Sequence, residues 1–580
     1  MHDLSQEFDD NNYAVYLPAI SGFYTSCLTN ATTDITKIRQ AGAPASLEYG
    51  FEGLDFLKAE DNYFRYRYGL FSAGHAQLDL AKCDKEEAMV QQRPDDAFIL
   101  GDSGGFQIAT GIIKLDWKNA KDPQDPKRTA LCEKILRYLE HTSDYAMTLD
   151  VPAHASSPPL NKRTGLNSFS DTLEVSLLNL DYFSRNRNVK DSKTKFLNVL
   201  SATNRGNAKE WYESVSKYSN PDWLEEQGIP REHAFEGYAF GGECAVNLLA
   251  SLDNVLRLID DGLIERAEWF HFLGIGRLEY ACYYTAMQQA LNRQFAPKLQ
   301  ISFDAASPFV STAYGKYYGV NTYTKNRMGY NLVNAPDNKD LAFETTPPPF
   351  SSPIMDRICL KDLCVKRPAH GYVNGERVVA KLSKSKDKKK WAEENEIFTA
   401  QLEDDLTDLK AAGLDVEFVD ADLNKLGKET RTSWDMGSYL LYMAHNVYMH
   451  IDGVREANRL MKVETARIGN TVTWRDWHPG TGKKAVTNTL SDIIPSDIIY
   501  FKSLMDELFD PELTSEQRWT MFKEAEPFIK SLNFKATRTN SVFDAMFETD
   551  DDDVEADDDK FADMNDEKIV ALEKGGAKDL

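Results

Sequence analysis

Six apolar runs recur through the middle of the chain, and each ends in a short polar or glycine-rich signature. They read AFILGDSGGFQ, YAMTLDVPAH, KFLNVLSATN, EGYAFGG, WFHFLGIG and LQISFDAASP. Most are separated by a stretch long enough for a helix. That rhythm predicts an α/β fold, a TIM-type (β/α)8 barrel whose buried parallel strands carry functional residues at their C-terminal ends. The signal is clear from Ala97 to about Pro308. Apolar residues at three- and four-residue spacing predict helices over Asn247 to Gly262 and Leu278 to Phe295. Residues 1–95 mix short apolar runs with turns, and no strand is placed there. They are assigned to the N-terminal part of the barrel and additions to it, ahead of a catalytic core over residues 96–345.

The pattern changes beyond the barrel. Thr345 to Pro353 reads TTPPPFSSP, which is rigid and non-helical and marks a linker or excursion. Residues 346–480 then form an insertion and a closing helix, with helical periodicity over Ser438 to Lys462. Residues 481–543 read as a helical extension, with Asp492 to Leu532 as its helical part. A tail follows over residues 544–580. No solenoid-type repeat is present.

Charge alters this picture more than bulk composition does. The chain has 580 residues, ample for a barrel with large additions, and its 42% hydrophobic content is ordinary for a globular protein. No apolar run approaches a membrane span, and MHDLSQEFDDNN lacks the apolar centre of a signal peptide, so a cytoplasmic protein is expected. The 7 cysteines, an odd count, do not suggest a disulfide framework. The net charge of −24 argues against nucleic acid at first sight. The tail carries about eleven of those charges, and its core ETDDDDVEADDD is expected to be disordered. Lys366 to Lys390, by contrast, holds nine basic and two acidic residues. It ends in KLSKSKDKKK, where Lys384, Lys386, Lys388, Lys389 and Lys390 are candidate phosphate contacts. A solvated surface loop is the plain alternative.

Three of the apolar runs end in an aspartate: Asp102, Asp150 and Asp304. Three carboxylates at one barrel mouth would repel unless chemistry or a ligand needs them. Asp102 lies in GDSGGFQ, where glycines let backbone N–H groups approach a ligand. It can serve as acid, base or acceptor, or simply cap a tight turn. Asp150 can accept two N–H bonds from a guanine-like amide and amine edge, or cap the next helix. Gly241 and Gly242 offer bare backbone to line a flat pocket, although glycine is common at strand-to-helix turns. Small residues follow Asp304 and leave room for a substrate. A carboxylate there can attack an anomeric carbon and form a covalent glycosyl intermediate, with Asp102 handling proton transfer. Taken alone, Asp304 also reads as a helix cap.

In order and wording these motifs resemble the tRNA-guanine transglycosylase family. DSGGFQ at Asp102 to Gln107 is the most specific match. SDYAMTLD around Asp150, GYAFGG at Gly237 to Gly242, FLGIG at Phe272 to Gly276 and FD at Phe303 to Asp304 support it, as does AHN at Ala444 to Asn446. The resemblance covers roughly residues 95–310 and returns in the later helix. It implies an enzyme exchanging guanine in a nucleic acid for a 7-deazaguanine. Asp304 would be the nucleophile at C1′ and Asp102 the general acid/base. Asp102, Ser103, Phe106, Asp150, Ser201, Gly241 and Gly242 would contact the base.

The family also carries a structural zinc on a CxCxxC pattern and a later histidine. Cys359, Cys364 and His445 match three of its ligands, while Lys361 stands at the middle cysteine. The resemblance therefore implies a Zn2+ with a fourth ligand from elsewhere, or two buried thiols and a core histidine. It also extends to a homodimer through this region. Other departures concern the substrate. Ser201 stands near the family's usual glutamine. Asn247 stands where enzymes using an aminomethyl base carry a glutamate. AASPFVSTAYG replaces the basic stretch that reads an anticodon loop. These departures look like the branch that inserts deazaguanines into DNA, known from phages and bacterial modification clusters. DNA and a free 7-deazaguanine base are thus the expected partners. The alternatives are tRNA as acceptor, a non-catalytic nucleic-acid-binding subunit, and a sugar glycosidase.

Overall fold

Parallel strands buried on both faces leave no exposed edge when they close on one another as a barrel. In the computed structural model they do so as eight parallel strands. These are β1 (Val15–Pro18), β2 (Tyr68–Ser72), β3 (Phe98–Asp102), β4 (Tyr145–Met147), β5 (Lys195–Ala202), β6 (Gly237–Gly242), β7 (Trp269–Phe272) and β8 (Gln300–Ala305). Neighbours in sequence are neighbours in the sheet, and β1 pairs with β8. The last gap closes beyond the end of β1, where the Ile20 amide donates to the Leu70 carbonyl of β2 at 2.9 Å. The expected TIM-like barrel is therefore the fold. The six runs read from the sequence are β3 to β8. Residues 1–95 supply β1 and β2, whose VYLP and YGLFS carry no polar signature to announce them. The structure describes residues 3–39, 41–74, 78–364, 370–373, 376–381, 417–420, 433–478 and 490–532.

Helices follow the strands in the order the sequence rhythm requires. They are α1 (Gly22–Thr33), α2 (Leu80–Glu86), α3 (Pro126–Thr142), α4 (Phe169–Asn186), α5 (Arg205–Val215), α6 (Leu248–Asp260) and α7 (Leu278–Gln294). The eighth barrel helix comes late. It is α8 (Met436–Ile468), which packs against both α7 and α1 and so completes the ring after the long insertion. Asp435 caps it by accepting from the Ser438 amide, and Arg39 grips the same carboxylate with two hydrogen bonds of 2.8 Å. The expected helix over Asp492 to Leu532 is two helices, α9 (Ser496–Leu508) and α10 (Ser515–Leu532). They break at Asp510 to Thr514, where Pro511 lacks the N–H that a continuous helix needs. In the insertion, Glu376–Lys381 pairs antiparallel with His370–Val373 and parallel with Glu417–Asp420. Lys384, Lys386, Lys388, Lys389, Lys390 and the acidic tail lie outside the described residues.

The two-residue period of the strands decides what points into the barrel. Val15, Leu17, Leu70, Leu100, Met147, Leu197, Val199, Ala239 and Trp269 form an inner core, separate from the larger core between strands and helices. At the N-terminal end of the barrel, aromatic rings fill the interior: Phe98 stacks on Trp269 at 4.4 Å, with Tyr145 5.1 Å from Trp269. Continuing the same inward rows to the C-terminal end changes the chemistry. Leu70 is followed by Ser72, Leu100 by Asp102, Val199 by Ser201, Ala239 by Gly241 and Trp269 by His271. On β8 the inward row is Gln300, Ser302 and Asp304. The apolar packing that closes one end thus gives way to polar side chains at the other.

Candidate active site

Asp102 ends β3 directly beside Ser72, its register partner on β2. The Ser72 hydroxyl donates to Asp102 Oδ2 at 2.6 Å, and the Gly104 amide donates to Oδ1 at 3.2 Å. Burial raises the Asp102 pKa and these two hydrogen bonds oppose it; Asp304 raises it further, while His271 lowers it. A carboxyl that keeps its proton more readily than usual suits an acid that later acts as base. Asp102 and Asp304 both stand at the C-terminal ends of their parallel strands, and so at one mouth of the barrel.

Asp150 lies just beyond β4. Burial, then the charge of Asp102, pushes its pKa up to about 7. It rests on the first turn of the short helix Gly105–Ala109, where a Cβ on Gly105 would come within 2.7 Å of Asp150 Oδ1. Only glycine lets that carboxylate sit so close to the backbone of the DSGGFQ segment. Phe106, half-buried, follows on the same turn. Opposite, Gly242 has φ +56°, and a Cβ there would lie 2.6 Å from the Ala202 carbonyl. Gly241 is its inward neighbour, in register with Ser201. Ser201 and Ser103 serve as ties between loops. Ser201 Oγ accepts from the Ala153 amide at 3.2 Å, and Ser103 Oγ donates to the Thr148 carbonyl at 3.1 Å. Both hold the strand ends that frame Asp150.

Asp304 is the least exposed of the three aspartates, at 7%. Its Oδ1 accepts from the Gly274 amide at 2.8 Å and pairs with His271 Nε2 at 3.2 Å. Behind His271 runs a chain of hydrogen bonds. Trp269 Nε1 donates to Ser302 Oγ at 2.7 Å, and that hydroxyl lies 2.8 Å from His271 Nδ1. The indole N–H is only a donor and the carboxylate only an acceptor. Nε2 therefore presents its hydrogen to the Asp304 carboxylate, and the Ser302 hydroxyl also lies 3.4 Å from the Phe270 carbonyl, a second acceptor for its proton. Oδ1 of the carboxylate is thus held by two donors.

Sequence reading missed His271, Ser302, Ser72 and the Gly274 amide. Signals existed for two of them. His271 and Ser302 are polar residues at inward positions of the apolar runs WFHFLGIG and LQISFDAASP. Ser72 sits on a strand that was not placed, and a backbone amide leaves no trace in a sequence.

Cys364 Sγ donates to the Pro336 carbonyl at 3.2 Å, and His445 Nε2 is 2.8 Å from the Tyr318 carbonyl. The Phe350 ring packs 5.0 Å from the His445 ring. Burial lowers the His445 pKa to about 4, keeping it a neutral core histidine. Cys359, Cys364 and His445 are not gathered with their ligand atoms within reach of one ion. Among the described residues, the one group of that kind is Cys83, Asp84 and His141. Lys361 stands in place of the middle cysteine, and His445 Nδ1 is buried without a hydrogen-bond partner. No described helix is long and apolar enough to cross a membrane. A scan against protein-family models and a search of curated proteins each return no match.

Proposed function

We propose that this protein is a pentosyltransferase exchanging guanine in DNA for a 7-deazaguanine base, through a covalent link between Asp304 and C1′ of the nucleoside. The observation that carries the reading is the Asp304 carboxylate, held through one oxygen by His271 and Gly274 and within electrostatic reach of Asp102. The target nucleotide leaves its stack to reach the barrel mouth. Asp304 Oδ2 attacks C1′ as the C1′–N9 bond breaks, and Asp102 protonates the departing guanine. The incoming base gives its N9 proton to Asp102 and attacks C1′, releasing Asp304. Asp150, when ionised, accepts from the amide and amine edge of either base. Bare backbone at Gly241 leaves the ring room.

The test supplies labelled guanine with duplex DNA or bulk tRNA and follows label into polymer. Label in DNA supports the reading, and label in tRNA alone replaces DNA by tRNA as acceptor. Tight nucleic-acid binding with no exchange supports a recruiting subunit instead. A denaturing gel of the native protein with its acceptor is expected to show a covalent adduct. Asp304→Asn is expected to abolish it and to lower exchange at least about 1000-fold, by analogy with the loss of other nucleophiles. An adduct that survives this substitution assigns the nucleophile elsewhere.

A further inference from the structure

A second cluster of chemically capable side chains lies outside the barrel mouth. Cys83 and Asp84 sit on α2, and His141 sits in the last turn of α3, at the end that leads into β4. Strands run parallel from that end towards the mouth, so the cluster is on the other side of the barrel from Asp102. His141 Nε2 is 3.1 Å from Asp84 Oδ1, and Cys83 Sγ is 3.9 Å from the same oxygen. All three donor atoms fall within 4.8 Å of one another. Zinc-bound sulfur and nitrogen stand roughly 3.5 Å apart in a tetrahedral site, so the three need to close by only about 1 Å.

The helices that bear the three side chains are braced against each other. Buried Glu87 accepts from the Tyr138 hydroxyl at 2.5 Å and from Gln91 at 3.1 Å, while Gln91 also bonds Thr142 at 3.0 Å. Tyr138 and Thr142 flank His141 on α3, so these bonds hold the segment after α2 against the ligand-bearing turn. Gln92 also donates to the Asp84 carbonyl at 2.9 Å.

We propose that Cys83, Asp84 and His141 bind a divalent transition metal of the zinc class, clipping α2 to α3 across the outside of the barrel. Thiolate and imidazole select zinc over magnesium or calcium, which take oxygen donors. Three protein ligands leave a fourth position for water. The site is distinct from Cys359, Cys364 and His445 and does not depend on the reading of the barrel mouth.

Untagged full-length protein, stripped with chelator, is titrated with Co2+ and watched for a thiolate-to-cobalt charge-transfer band, with Zn2+ as competitor. One equivalent of Co2+ is expected to raise the band, and Zn2+ to displace it. Cys83→Ser and His141→Gln should each abolish the band, while Cys364→Ser leaves it intact. His141 is exposed, so its substitution tests the site even if Cys83→Ser fails to fold. Absence of a band in the native protein overturns the proposal. So does a band that survives His141→Gln, or one lost in Cys364→Ser alone.

Discussion

In the base-exchange chemistry proposed above, His271 sets the reactivity of a carboxylate without touching the substrate. Its Nε2–H holds Asp304 Oδ1, and its other nitrogen is fixed by Ser302 and Trp269. His271→Phe keeps the ring volume and removes the donor. A hydrogen bond to a charged group contributes about 1.5–3 kcal/mol, so base exchange is expected to slow roughly 10- to 150-fold, with base affinity little changed. Steady-state exchange rates and guanine binding measured side by side check this; equal losses in both would instead mean that the pocket has collapsed. Asp150 makes a second prediction, with two opposite slopes. Its pKa is raised to about 7 in the folded protein, first by burial and then by Asp102. A raised carboxyl favours the protonated folded state. Between about pH 4 and 7 the unfolded chain has lost this proton while the folded chain retains it, so the contribution of Asp150 to stability falls as pH rises. The gap in melting temperature between Asp150→Asn and the parent is expected to move in favour of the variant across that window and to level off above it. Guanine affinity of the parent should instead tighten as pH passes 7, because only the ionised carboxylate accepts both N–H groups. Thermal melts and binding isotherms over this range test the two slopes.

At the scale of elements, the closing helix is the most exposed to a single change. α8 completes the ring of barrel helices although more than a hundred residues separate it from β8. Its start is fixed by Asp435, which caps the helix and pairs with Arg39, itself only 8% exposed. Removing one partner of a buried pair leaves the other charge uncompensated, at about 3–5 kcal/mol. Asp435→Ala is therefore expected to destabilise the protein by about that amount in denaturant unfolding, and Asp435→Asn by less, since the amide oxygen still caps. Equal losses would place the effect in the charge pair alone. Element boundaries were only partly legible beforehand. The apolar periodicity of α6 and α7 located both to within two residues, because one face of each packs on the barrel. The split between α9 and α10 was missed because both halves carry apolar residues at helical spacing, and the polar stretch at Asp510 to Thr514 is short.

For the molecule as a whole, the C-terminal helices behave as part of the core. Phe501 of α9 packs 4.8 Å from Tyr283 of α7, and Trp519 of α10 donates to Asp260 of α6 at 2.6 Å. Ile498, Phe501, Leu504, Met505, Phe522 and Ile529 are buried in this arrangement. A chain ending at residue 490 would leave α6 and α7 with an uncovered apolar face of the kind that drives aggregation. Light scattering of the truncated protein is expected to show association, with a lower melting temperature. A monodisperse product melting as the full chain does would show that the two helices are dispensable.

The order of the last six strands, the three aspartates at their ends and the glycines beside them were fixed by local pattern. A strand buried on both faces must be apolar throughout, and its functional residue must stand where the apolar run stops. The identity of the barrel's first two strands, the hydrogen-bonded chain behind Asp304 and the surroundings of Cys359, Cys364 and His445 were decided only by tertiary structure. β1 and β2 are strands because β8 and β3 offer them unpaired edges. That hydrogen-bonded chain joins residues of β7 and β8 that share a register across 31 to 33 positions of sequence. Hydrogen bonds across such separations depend on which chain segments end up adjacent, and that adjacency exists only once the barrel has closed.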